Sequence, residues 1–472
     1  MFEQKREIQV EKWFIVIALF VGGILLFITP PMASPDENDH LCNAYAFSDA
    51  AFFPEIKGYS TGRMLPSCIV DFIKSYNNRF VSNLNQKYNY SEAYLSWAVA
   101  SDFEQYEFKE YWNSQVNLIA YMPSGIGISL YRILATYFPF ICLSPYNILM
   151  IGRIFNLCFY TLVIYYAIKW TPLMKYTMFL ISLFPMSMFL ASTLSYDTMI
   201  IGFSMLLFSR TMNIMYSKRE VIWKDVAVIS ICTCILFNVK TAYVPLLIVL
   251  FSIGLTRFGG VKKYIKCILI VLAGGCFPFF CFYIGKAIAL KDFVWKYTES
   301  MNQQSEIILS DPIHFLQNIA NSFILFGKYY YLGCLGSLGQ QDTNIPEIFL
   351  YLLTFVTILV ALIEVSSQNF ITFKFKMLSV VGILITIYAM FAGTYVIWTG
   401  NRYEIGLDYV EGCQGRYFIP LLVWIAVLFA NSKLMNKEKI YRLVPRLSVG
   451  CTIFILTITV ICVFIRFWVP VS

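Results

Sequence analysis

Long apolar runs separated by short polar turns rich in lysine and arginine fill this chain from Trp13 to Trp468. Runs of about 20 apolar residues match the length a helix needs to cross the hydrocarbon core of a bilayer. A transmembrane barrel would show segments of about ten residues with alternating character, and the sequence has no series of those. The pattern predicts an all-α polytopic membrane protein in a single integral membrane domain. Composition changes the picture only by hardening it. Of 472 residues, 58% are hydrophobic and 14% charged, against roughly 25% charged in soluble domains. A soluble enzyme and a disordered chain are both excluded.

Charge gives orientation. The chain carries 36 basic and 28 acidic residues, a net of +8, yet residues 31–115 hold eleven acidic and six basic residues, a net of −5. The cations of the remainder cluster in the short turns: Arg210, Lys218, Arg219 and Lys224; Arg257, Lys262, Lys263 and Lys266; Lys374 and Lys376; Lys433, Lys437, Lys439, Arg442 and Arg446. Such clustering follows the positive-inside rule and is no footprint for nucleic acid. Lys5, Arg6 and Lys12 precede the first run, Trp13 to Pro30, so the N-terminus is expected in the cytoplasm, with the first helix retained rather than cleaved. Residues 31–115 then form a first extracytoplasmic loop and residues 289–345 a second. Further outer turns fall near Ser195, near Lys240 and at residues 399–414, and the C-terminus is expected outside.

Counting sides leaves residues 116–140 entering and leaving on the same face. With Pro123, Gly125 and Gly127 inside it, this stretch is expected to be broken or re-entrant, which gives about eleven full spans, with eleven to thirteen accommodated. Runs 225–239 and 241–256 are short for a bilayer and are expected either to thin the membrane locally or to tuck under a cavity. In the first loop, residues 36–50 and 102–113 are the candidates for amphipathic helices on the outer leaflet. Most of the thirteen cysteines lie in apolar runs and read as small hydrophobes; Cys42 and Cys68 share the outer loop and form the candidate disulfide pair.

Candidate chemistry concentrates just past the first run, at Ser34-Pro35-Asp36-Glu37-Asn38-Asp39-His40. Ser34 as cap and Pro35 at the first helical position would place Asp36 and Glu37 in a first turn, where acids also simply complement the helix dipole. Ionisable groups at a membrane boundary are costly to keep, which favours a functional use of Asp36 and Glu37. His40 lies three residues beyond Glu37 on the same helical face, a spacing that suits a hydrogen bond or a shared divalent cation. Ser195-Tyr196-Asp197 opens a later span with another acid. Lys240, with Tyr243 beside it, and Arg416, in Gln414-Gly415-Arg416-Tyr417, are cations on the outer side against the general bias. Snorkelling explains such residues in part; a guanidinium at a helix start also suits a phosphate. Arg153 and Asn156 share one helical face. No nucleotide-binding loop and no zinc spacing occurs in the sequence.

Taken together, Pro35-Asp36-Glu37-x-x-His40, Tyr121-x-Pro123, Gly152-Arg153-x-x-Asn156, Ser195-Tyr196-Asp197, Lys240-Thr241-x-Tyr243, Gly336-Ser337-Leu338-Gly339 and Gln414-Gly415-Arg416-Tyr417-Phe418-x-Pro420 resemble a family of bacterial predicted membrane proteins labelled as of unknown function. That family in turn looks like a branch of the C-type glycosyltransferases. Two positions depart from its pattern: Asn43, where Arg is common, and Gln340, where Trp is common. The resemblance implies a glycosyltransferase-C-like bundle in the plasma membrane, a polyprenyl-phosphate-sugar donor and a surface polysaccharide acceptor. It assigns the base to Asp36, with Glu37 as partner or alternative. Arg416 and Lys240 would hold the leaving lipid phosphate, and Tyr196 and Asp197 the sugar, with His40, Tyr243, Gln414 and Tyr417 completing the binding set. No organic cofactor is implied, and a divalent cation stays open. Two other classes fit the same composition: a transporter or flippase of a lipid-linked saccharide, which needs no base, and a polysaccharide polymerase or ligase.

Overall fold

Where the sequence runs apolar and unbroken, helices form, because in lipid the backbone must satisfy its own hydrogen bonds. The computed structural model describes residues 9–81, 83–217, 219–295, 297–365, 371–431 and 443–470. Lys5, Arg6, Lys218, Lys433, Lys437, Lys439 and Arg442, used above for orientation, lie outside the described residues. The helices are α1 (Val10–Ile28), α2 (Glu37–Ser48), α3 (Ser67–Tyr76), α4 (Tyr90–Ala98), α5 (Met122–Tyr137), α6 (Pro145–Trp170), α7 (Lys175–Ser182), α8 (Pro185–Ser192), α9 (Asp197–Tyr216) and α10 (Trp223–Val239). They continue with α11 (Val261–Ala289), α12 (Thr298–Ser310), α13 (Pro312–Leu335), α14 (Glu347–Ile363), α15 (Phe373–Thr394), α16 (Gly400–Arg402), α17 (Leu422–Phe429) and α18 (Val444–Trp468).

Among the described residues, seven helical segments are long and apolar enough to cross a membrane, and the bent pair α7–α8, broken by 59°, makes up to eight. Three shorter apolar segments, Thr241–Ser252, Glu347–Ile363 and Gly415–Phe429, accompany them. The expected eleven full spans are not confirmed. The break expected in residues 116–140 is absent: a short 3-10 turn runs into α5, and Leu118–Tyr137 forms one segment of spanning length. Pro123 sits in the first turn of α5, where its missing N–H costs nothing. Gly125 and Gly127 give room to the rings of Phe47 and Phe155; they mark close packing rather than a bend.

The first outer loop also differs from its expectation. Helix α2 does form within residues 36–50, but its residues from Asp39 to Ala46 are all buried, so it threads the protein interior and does not lie on lipid. Residues 102–113 hold a strand and the start of a 3-10 turn (Trp112–Gln115), not an amphipathic helix. Strand β1 (Glu55–Lys57), β2 (Ser60–Pro66) and β3 (Tyr106–Glu110) form an antiparallel sheet in the order β1-β2-β3. Tyr106, Phe108 and Glu110 alternate with Glu107 and Lys109, the period of a strand. Arg63, fully buried, ties this sheet down by donating to the carbonyls of Ala51, Phe53 and Ser114. Strands β4 (Ser337–Leu338) and β5 (Thr343–Asn344) make a small hairpin, with Gly339 at φ +64° in its turn. Cys42 and Cys68 are both free thiols, so the candidate disulfide is not formed.

The first helix is woven into the body. Trp468 donates to the Ile28 carbonyl at 2.7 Å, and Arg153 of α6 donates to the carbonyls of Leu26, Thr29 and Pro30. At the opposite end, the expected inner turns gather their charges: Asp225 pairs with Arg210 and Arg219, and Lys263 with Glu220 at 3.0 Å.

Candidate active site

Four segment ends meet on the side of the first loop. They are the turn after α1, the start of α9, the break between α10 and the 3-10 helix Thr241–Ser252, and the start of the 3-10 helix Gly415–Leu421. The last of these seats against α13 because residue 415 is glycine; a Cβ there would fall on the Tyr330 carbonyl oxygen and the Cys334 amide.

The three neighbouring acids separate into three environments. Asp36 caps α2 in the left-handed conformation, φ 57°, which aspartate tolerates better than most residues. Ser34 is therefore not the cap: its hydroxyl pairs with that of Thr193 at 3.0 Å, and the helix begins at Glu37. Arg416 Nη2 donates to Asp36 Oδ2 at 2.7 Å, while Arg416 Nε lies 3.0 Å from Asp197 Oδ2. The second contact is an ion pair without hydrogen-bond geometry, so the Nε–H has no hydrogen-bond partner. Asp36 is the accessible member of this trio, with 47% of its side chain exposed against 5% for Arg416 and 8% for Asp197. Enclosure pushes its carboxyl up, but the positive charge of Arg416, helped by that of Lys240, outweighs that and holds it below the ordinary carboxylate range. It is an ionised acceptor at neutral pH.

Glu37 faces away from this cluster. It is fully buried, and Arg153 grips it in a fork: Nε to Oε1 at 2.8 Å and Nη2 to Oε2 at 2.6 Å. The amides of Leu194 and Met32 add one hydrogen bond to each oxygen, both 3.0 Å. Every carboxylate site is occupied, which makes Glu37 a brace joining the turn after α1 to α6 and to the strand-like turn before α9. Asp39, also buried, accepts from the Asn113 amide at 3.3 Å and its side chain at 2.9 Å, and from Asn38 at 3.0 Å. Burial, with the negative charge of Asp36 adding to it, pushes the Asp39 carboxyl up to about 6.

His40 does not turn toward Glu37. Its Nδ1 lies 2.9 Å from the Tyr121 hydroxyl, and its ring meets Tyr196 edge-on at 5.2 Å. Burial holds the imidazole below its usual range against the opposing charge of Asp36, so it is neutral at pH 7. Among the described residues no three His, Cys, Asp or Glu side chains are grouped as a metal ion requires; Glu37 and His40 have separate partners.

Lys240 points its ammonium over the Tyr417 ring, 3.1 Å from the centroid. Burial pushes it down to about 8, with Asp197 pulling the other way. Tyr243 donates to the Tyr417 carbonyl at 2.6 Å, which fixes the Gln414–Tyr417 segment beside Lys240. The Gln414 Oε1 is buried with no hydrogen-bond partner. Thus Asp36, His40, Tyr196, Asp197, Lys240, Tyr243, Gln414, Arg416 and Tyr417 belong to one neighbourhood, and Glu37 to its foundation. Two further side chains act here. Gln340 donates to the Ser34 carbonyl at 2.7 Å, clipping the turn that presents Asp36. Asn43 accepts from the Tyr111 hydroxyl at 2.8 Å and donates to the Asn113 carbonyl at 3.1 Å.

Sequence reading underrated Arg153, whose pairing with Glu37 spans 116 positions, and missed Asn113 altogether. The signal for Arg153 was a charge in the middle of an apolar run, which needs a partner; nothing local marked Asn113.

Long apolar helices around a polar, ion-paired cluster of segment ends define the class: a multi-pass helical membrane protein. A family model described as predicted membrane protein (DUF2142) matches residues 19–425, and the chain belongs to that family. No curated protein and no solved structure matches it.

Proposed function

We propose that this protein is a plasma-membrane glycosyltransferase that moves a sugar from a polyprenyl-phosphate donor to a glycan on the outer face of the cell, with inversion. The observation that carries the reading is the accessible, ionised Asp36 held by Arg416 beside Asp197 and Lys240. The N-terminus is assigned to the cytoplasm and this cluster to the exterior, as in the charge pattern.

In the proposed reaction an acceptor hydroxyl attacks the anomeric carbon and gives its proton to Asp36. The bond from that carbon to the phosphate oxygen breaks, and polyprenyl phosphate leaves with one more negative charge. General-base assistance of this kind contributes roughly 10²–10⁴-fold. Arg416 is largely committed to the two aspartates. Lys240 therefore supplies the main uncommitted positive charge for the departing phosphate, a form of stabilisation of comparable size. Asp197 and Tyr196 would position sugar hydroxyls, and neutral His40 would orient Tyr121. Asp39, although its pKa is nearer neutrality, has its oxygens occupied by Asn113 and Asn38, which leaves Asp36 as the base.

The test is glycan analysis of the cell surface with the gene intact, deleted, or carrying Asp36→Asn. The reading requires that deletion remove one sugar substituent and that Asp36→Asn, inserted at normal level, fail to restore it. A surface glycan unchanged by deletion would refute it. Restoration by Asp36→Asn would leave a transporter as the better account.

A further inference from the structure

A separate cavity lies away from this cluster. It is a cleft of about 410 Å³ walled by four segments: the β1–β2 turn at residues 59–61, Glu110 and Trp112 from the end of the first loop, Trp295 and Tyr297 from the connection between α11 and α12, and Arg402 from α16. Its volume is within the ~300–1,000 Å³ of ligand pockets. Trp112 is the hub. Its ring centroid lies 4.9 Å from that of Trp295, 5.4 Å from Tyr297 and 6.0 Å from Trp398. The Arg402 guanidinium stacks 5.6 Å from the Trp112 ring and 5.0 Å from Trp398.

From this geometry we infer that the cleft binds the acceptor glycan, a deepening that rests on the glycosyltransferase reading above. A pyranose ring offers a face of C–H bonds with positive partial charge and a rim of hydroxyls. The negative π-faces of tryptophan and tyrosine match the first, and Glu110 and Arg402 match the second by accepting from and donating to hydroxyls. A lipid chain would want unbroken apolar walls, which a carboxylate and a guanidinium interrupt. The cleft is also wired to the proposed base. Asn113, next to Trp112, donates to Asp39, and Asn43 donates to the Asn113 carbonyl; both partners lie on α2, whose cap is Asp36. A glycan chain held on Trp112 would therefore be registered against the helix that carries the base.

The test is calorimetric titration of the purified full chain with oligosaccharides released by mild acid from the host's own envelope polysaccharide. Binding is expected. Paired Trp112→Ala and Trp295→Ala substitutions should weaken it at least tenfold, the phenylalanine pair should keep most of it, and Arg402→Ala, at an exposed position, should weaken it at least threefold. Asp36→Asn should bind as the wild type does. No binding by the wild type, or undiminished binding by both the alanine pair and Arg402→Ala, overturns the proposal. If the alanine pair binds normally but reconstitutes poorly into vesicles of host lipid, the cluster is an interfacial anchor and the proposal is equally wrong. Normal glycosyl transfer by Asp36→Asn would remove the base assignment while leaving the cleft to be judged on titration alone.

Discussion

Arg416 reaches across 380 positions of chain to donate its Nη2–H to Asp36 at 2.7 Å. This bond sets the aim and the charge of the one accessible carboxylate in the cluster. Removing the guanidinium by Arg416→Ala should let the enclosed carboxyl rise, because burial then acts unopposed by its strongest neighbour. Transfer should fall on the order of a hundredfold at pH 7, and its acid limb should move to higher pH. Arg416→Lys keeps the charge but loses the fixed fork, and should restore the position of the acid limb more than the rate. A pH–rate profile unchanged in both variants would contradict the role given to this pair.

Glu37 and Arg153 are both fully buried. Breaking such a pair from one side leaves an uncompensated charge and costs about 3–5 kcal/mol. Glu37→Gln and Arg153→Met should each lower the thermal midpoint of the detergent-solubilised protein by several degrees. Residual activity below the transition should persist in any fraction that folds. A Glu37→Gln protein of normal stability and no activity would show that Glu37 acts in the chemistry.

Asp39 gives a stability signature with a definite sign. Its folded-state value of about 6 lies above its ordinary 3.8, so the folded protein binds this proton more tightly than the unfolded chain does. Its contribution therefore falls as pH rises from about 4 to about 6 and stays low above that. The full effect is at most about 3 kcal/mol. Asp39→Asn should be more heat-stable than the wild type at pH 7.5, and the advantage should shrink toward pH 4.5. Midpoints measured across that range, with a constant difference between the two proteins, would contradict it.

Lys240, pushed down to about 8, loses its proton well before an ordinary lysine. Affinity for a polyprenyl-phosphate donor should weaken as pH rises from 7 to 9. Lys240→Met should bind about tenfold less tightly at pH 7 and show a flatter dependence. A wild-type affinity constant up to pH 9.5 would remove Lys240 from the phosphate site.

How far these features could be read from sequence follows from their range. Apolar runs announce membrane helices because the bilayer demands them in every window, and α1 was plain for that reason. The acids at 36–39 were visible as a cluster, but their division of labour was not. Glu37 is occupied by an arginine 116 positions away and Asp36 is aimed by one 380 away, and no local spacing encodes such pairings. The strand at Tyr106–Glu110 is only five residues long and needs β2 as a partner, which left its alternation open to a helical reading. Trp112, Trp295 and Arg402 lie in three segments far apart in sequence, so the cleft exists only once the chain is folded.

The most direct measurement is single-turnover transfer by the purified Asp36→Asn protein, given a polyprenyl-phosphate-sugar and the envelope oligosaccharide. The account predicts a rate reduced about 10²–10⁴-fold with donor affinity within a few-fold of wild type. Transfer at the wild-type rate would show that the proton goes elsewhere.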